Sequence, residues 1–306
     1  MPDVFLIGKA FATSLALGLV VALLVGKSSR AAIASAGAAL AAVSAVFAGL
    51  WVLGLLPNFP PREALDRLLL IVLPAAVVAE VVAAQSGRAG WVARCVVAAL
   101  AVPVLLDGSV YVTDLSGPGS REWPPAKTWL VFAALAAVLM SVWMVTNRLA
   151  ARTGGRTALW CVAGSALGAG LVIMLSGYAT GGQLGVPLAA GLGGVALGSL
   201  IRREKPAIEG ALGVGVVGLF ALLVVGRLFA GLTDLNAALL FAAPLLGWLP
   251  ELLPWRPRIR VPLRLALAAV PVVVALVLAQ QKFATDSAPP ESGIEGSLDD
   301  YMNFGK

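Results

Sequence analysis

Residues 67–106 read RLLLIVLPAAVVAEVVAAQSGRAGWVARCVVAALAVPVLL, two apolar runs joined by Gln85-Ser-Gly-Arg-Ala-Gly90. A bilayer core of ~30 Å needs about 20 predominantly apolar residues at 1.5 Å rise each, so the segment is a transmembrane helical hairpin. Each arm carries one charge, Glu80 and Arg94. With the turn centred near Ser86 to Arg88, both lie about seven residues from it, at a similar depth of roughly 10 Å, and they can meet. A charge in hydrocarbon costs about 3 kcal/mol or more unless it is paired or faces a watery cavity. Glu80 and Arg94 therefore have two readings: a structural ion pair between helices, or a substrate or proton site.

The rest of the chain repeats that apolar character. Its hydrophobic fraction is 59% and its charged fraction 12%, about half the charge of a soluble domain. The apolar residues come in long blocks, which makes this a polytopic, all-α integral membrane bundle. Blocks of about 17 to 25 residues number ten: from about Phe5 to Gly26, Ala31 to Leu56, Arg67 to Ala84, Trp91 to Leu106, Thr128 to Val145, two from Thr157 to Ile201, Gly210 to Gly231, Leu235 to Pro250, and Val261 to Ala279. The first lacks a basic flank and reads as a retained helix, not a secretory signal. Residues 1–280 form the membrane domain. Residues 281–306, with Asp286, Glu291, Glu295, Asp299 and Asp300, read as an acidic, mostly disordered extracytoplasmic tail.

The basic residues alternate with the spans. Twelve fall in the short connections at 27–30, 88, 148–156, 202–205 and 256–260, against seven in the longer segments of the other side and the tail. By the positive-inside rule the first side is cytoplasmic, and both termini are extracytoplasmic. The net charge of +6 is then explained by orientation and anionic head groups rather than nucleic acid. The expected partner is the lipid bilayer of a bacterial-type cytoplasmic membrane. Small-residue faces, Gly37/Ala41, Gly164/Gly168 and Ala190/Gly194/Gly198, suit close helix packing within the chain, or with a second copy or a membrane-complex partner. Gly54-Leu-Leu-Pro57 with Arg67 and Pro74 has a weak echo in Gly247-Trp-Leu-Pro250 with Arg264 and Pro271, the pattern an inverted repeat would leave.

The chain contains no histidine, which excludes His-Glu-x-x-His zinc proteases, Ser–His intramembrane proteases and bis-His cytochromes. No phosphate loop, dinucleotide fingerprint or paired-carboxylate metal motif occurs, so no cofactor is expected. The two cysteines, Cys95 and Cys161, follow basic connections and are expected as free thiols. Ser176, Tyr178, Thr180 and Gln183 form a second polar cluster, either the mouth of a cavity or a Gly-rich connecting turn. Two functions fit: a secondary transporter or permease for a small molecule or ion, or a non-catalytic subunit or scaffold of a larger membrane complex. No nucleophile and base pair is readable for an enzyme.

Overall fold

The computed structural model describes residues 3–25, 31–201, 208–252 and 257–287. The basic connections at 27–30 and 202–205, Arg256, and the tail beyond residue 287 lie outside the described residues. Within them every regular element is helical, and ten helices are long and apolar enough to cross a membrane. They are α1 (Val4–Val25), α2 (Ala31–Leu53), α3 (Ala64–Gln85), α4 (Gly87–Leu106), α5 (Pro125–Thr153), α6 (Arg156–Leu175), α7 (Ala179–Ile201), α8 (Glu209–Phe229), α9 (Asp234–Leu252) and α10 (Pro257–Asp286).

Among the boundaries that differ from the sequence reading, three bear on the connections and the tail. Helix α5 continues through Asn147, Arg148 and Arg152 to Thr153 and stops only at Gly154 and Gly155, both with left-handed φ of 75° and 76°. A run of arginines does not end a helix, whereas two successive positive-φ residues do. The hairpin at 85–90 has only Ser86 between its helices, because that side chain caps α4 by accepting from the Ala89 N–H at 3.5 Å. Helix α10 runs on to Asp286, past the residue 280 boundary.

Prolines shape two spans. Pro74 removes an N–H and its ring crowds the carbonyl four residues back. Leu68–Val72, immediately before it, is wound as a π-helix, a widened turn that relieves this clash. Pro244 opens a tightened 3-10 stretch, Ala243–Trp248, in the middle of α9. The segments compared as an internal repeat therefore differ locally. Helix α2 ends at Gly54 with φ of 68°, whereas Gly247 lies within a continuing helical stretch.

Helices α7 and α8 form the centre and are almost wholly buried, whereas α1 and α10 are mostly exposed and form the rim. Helix α8 touches α2 through α7 and α9. The most extensive contact is between α1 and α7. A Cβ on Gly18 would lie 2.6 Å from the Gly191 carbonyl oxygen, and one on Gly194 would lie 2.3 Å from that of Leu15. Gly168 packs on Val272 and Leu240, and Gly37 on Val25. The small-residue faces thus serve internal contacts, with the exception of Gly164, which is exposed and has nothing within 4 Å of a built Cβ.

Candidate functional site

The tight α3–α4 turn sets the register of the hairpin. Gly90 lies against Ala83, where a Cβ would come within 2.1 Å of the Ala83 Cα. One turn further from the connection, Glu80 and Arg94 meet. The guanidinium binds the carboxylate in fork geometry, Nε donating to Oε1 at 3.0 Å and Nη2 to Oε2 at 2.7 Å. Trp143 of α5 adds a third donor, its indole N–H reaching Oε1 at 2.9 Å. Arg94 also lies 5.8 Å from the Trp143 ring centroid. Helix α8 closes the remaining side, with Gly213 so near that a Cβ would fall 2.0 Å from Oε1. Glu80 is 1% exposed and the Arg94 side chain 21%.

Four helices thus converge on one carboxylate, with three donors and no room beside it. This geometry favours the structural reading of the pair. Trp143→Phe removes one donor while keeping a ring in place, and loss of a hydrogen bond to a buried charged group costs about 1–3 kcal/mol. A lowered thermal midpoint in detergent is the expected outcome, and an unchanged midpoint would show that the indole contributes nothing.

A second clamp of the same kind, not singled out in the sequence, joins α9 to α10. Arg264 is 6% exposed, is hydrogen-bonded to Glu251, and donates from Nη1 to Thr157 Oγ1 at 3.3 Å. Arg260 lies 4.0 Å from the other Glu251 oxygen. Cys161 lies beside this clamp and is buried, while Cys95 is partly exposed; both are free thiols. A thiol reagent applied in mild detergent is expected to modify Cys95 well before Cys161, and the reverse order would contradict their placement.

The polar cluster at 176–183 divides. Ser176 donates back to the Val172 carbonyl at 2.9 Å. Tyr178 is half-buried near Glu63 and Asp66, and burial together with those carboxylates pushes its phenol above the usual value. Thr180 lines a cavity of about 250 Å³ with Asn58, Glu63 and Asp66. Gln183 is half-buried and lines no part of it. Asp66 is already engaged, accepting from the backbone N–H groups of Asn58 at 3.0 Å and of Arg62 and Glu63 at 3.3 Å. It orders the α2–α3 connection.

The larger opening lies elsewhere. Helix α5 meets α9 at the Ala243–Trp248 stretch, where the Trp248 indole donates to the Val145 carbonyl at 3.1 Å. Toward Asp234 the two helices part, leaving a cavity of about 660 Å³ floored by α8. Its depth is apolar, with Leu135, Phe220, Val224 and Phe241. Its mouth is charged, with Glu122, Lys127, Arg227 and Asp234 around Tyr111 and Trp123. Arg227 pairs with Asp234 across the α8–α9 turn, and Lys127 lies 5.5 Å from the Trp123 ring centroid.

The 107–124 connection covers the mouth on one side. Tyr111 donates to the Leu228 carbonyl at 2.7 Å and lies 4.9 Å, ring to ring, from Trp123. Trp123 is accordingly buried in the protein, while Trp129 is 71% exposed as an interfacial aromatic should be. Burial first, and then Glu122, raises the Tyr111 phenol above its usual value, against the opposing pull of Arg227. None of these residues reads as a site in the sequence; only the charges at the ends of α5 and α8 mark the place.

Compared with models of protein families, with curated proteins and with solved structures, the chain has no match.

Proposed function

We propose that this multi-pass membrane protein is a permease for a small molecule, with its substrate path in the cleft between α5, α8 and α9, and that Glu80 and Arg94 clamp the helices around it. The cleft itself carries the reading. Its volume lies within the range of small-molecule sites, about 300–1,000 Å³, and it combines an apolar body with convergent polar groups at one end. Flanking α9 is broken by Pro244, and helices interrupted in this way border the substrate sites of many carriers. The alternative, a scaffold that recruits partners through Gly/Ala faces, has less support because those faces are largely occupied within the chain.

The proposed orientation places the arginine-rich connections in the cytoplasm and both termini outside. A tag inserted at Gly154 is expected to be protected in intact cells, and one between Asp114 and Ser120 to be accessible. The opposite pattern would invert the protein. The permease reading is tested by Ala237→Cys in a chain otherwise freed of cysteine (Cys95→Ser, Cys161→Ala). In vesicles of defined orientation, a membrane-impermeant maleimide is expected to reach Cys at 237 from either face as the cleft alternates. Reaction from the mouth side alone would leave a static cavity and contradict a carrier.

A further inference from the structure

We infer that the cleft takes a single-chain zwitterionic amphiphile, a lysophospholipid with phosphate and ammonium in its head group, entering sideways from the bilayer. The inference rests on the permease reading for its consequence but on the cleft's own chemistry for its ligand. Three features of the geometry select this class.

The first is the segregation of polarity. Lys127 lies in the first turn of α5, Arg227 in the last turn of α8 and Asp234 in the first turn of α9, so their charges share the depth of a membrane interface. Beyond them the lining is apolar down to Phe220 and Phe241. A wholly polar solute would lose its water there without gaining partners, and a pure hydrocarbon would have no use for the mouth.

The second is the balance of charge. Arg227 and Asp234 neutralise each other, which leaves Lys127 and Glu122 as the facing charges of opposite sign at the mouth. An anionic head group would meet Glu122 and a cationic one Lys127, whereas a zwitterion can place phosphate toward Lys127 and ammonium toward Glu122. Tyr111 and Trp123 border that same end, and Tyr111 also lies 6.0 Å from the Phe229 ring, aromatic faces that attract an ammonium group.

The third is the side opening. Ala134 and Ala238 of the lining are exposed, and Val138 is 45% exposed, where α5 and α9 part. A ligand already dissolved in the outer part of the bilayer reaches this opening without crossing water. The cavity suits one chain: about 660 Å³ lies well inside the range for drug-sized ligands, about 300–1,000 Å³.

The experiment uses the full-length protein in a neutral maltoside detergent with lysophosphatidylethanolamine carrying a photoactivatable group in its acyl chain. Cross-links mapped by mass spectrometry are expected in 131–138, 220–228 and 237–241. Unlabelled lysophosphatidylethanolamine or lysophosphatidylcholine is expected to compete at least about tenfold better than lysophosphatidylglycerol, the effect of a single hydrogen bond to a charged group. Ala238→Trp, and separately Ala134→Phe as a milder plug, should each abolish cleft labelling while the protein elutes as a folded monodisperse species. Cross-links spread evenly over α1 and α10 would mean an unselective lipid shell and overturn the site. Equal competition by the anionic lipid would overturn the head-group assignment. Two-sided access to Cys at 237 without cleft labelling would sink the ligand and keep the permease; labelling with one-sided access would do the reverse.

Discussion

Arg94→Leu is expected to deplete folded protein more than any other single charge removal in the membrane domain. It takes two of three donors from a carboxylate that is 1% exposed, and breaking a buried pair from one side costs about 3–5 kcal/mol. Trp143 alone cannot satisfy Glu80. Removing both charges together, Glu80→Leu with Arg94→Leu, removes the desolvation cost with them and is expected to recover much of the loss. Glu80→Gln should be milder than Arg94→Leu, because the arginine left behind is 21% exposed and its long stem lets the charge move toward the interface. Thermal midpoints in detergent for the four proteins give the comparison. A stable Arg94→Leu, or a double variant weaker than the single, would contradict the clamp.

Gly194→Leu is the second large effect. Its Cβ would lie 2.3 Å from the Leu15 carbonyl oxygen and 2.8 Å from the Leu19 nitrogen, both backbone atoms that no rotamer change can move. Helix α1 packs on α7 and α2, and with these backbone atoms fixed it must lift from α7. The cost should reach the top of the usual overpacking range, about 3 kcal/mol. Protease sensitivity near α1 and a lower thermal midpoint are the readouts. Gly164→Leu is the control: it lies on a similar small-residue stripe but faces open space, and its effect should stay within about 0.5 kcal/mol.

These two cases mark what sequence reading can reach. The ten spans are legible because length and charge-free runs are nearly sufficient to define a membrane helix. Glu80 and Arg94 are legible because a charge stands out against hydrocarbon and the turn gives both the same depth. Trp143 is not, since one tryptophan in an apolar run looks like any other packing or interfacial residue. The Glu251–Arg264 clamp is equally hard to see, because both charges stand near helix ends and read as loop residues. Gly164 and Gly194 look alike in sequence, yet only one lies at an interface. In lipid, buried and lipid-facing surfaces are equally apolar, so hydrophobicity cannot tell α8 at the centre from α1 at the rim. The cleft is hidden for the same reason: α5 and the distant pair α8 and α9 line it, mostly with ordinary apolar side chains.

The division of labour between clamp and cleft is the central claim, and one measurement addresses it. Ala237→Cys is placed in the cysteine-free chain with Glu80→Leu and Arg94→Leu together, and its reaction with impermeant maleimide is followed from each face of oriented vesicles. If the charges only hold helices together, the restored protein keeps access from both faces at rates close to those of the parent. A folded double variant that has lost access from the arginine-rich face would show that the charge pair drives the movement, and the assignment of Glu80 and Arg94 as a structural clamp would be wrong.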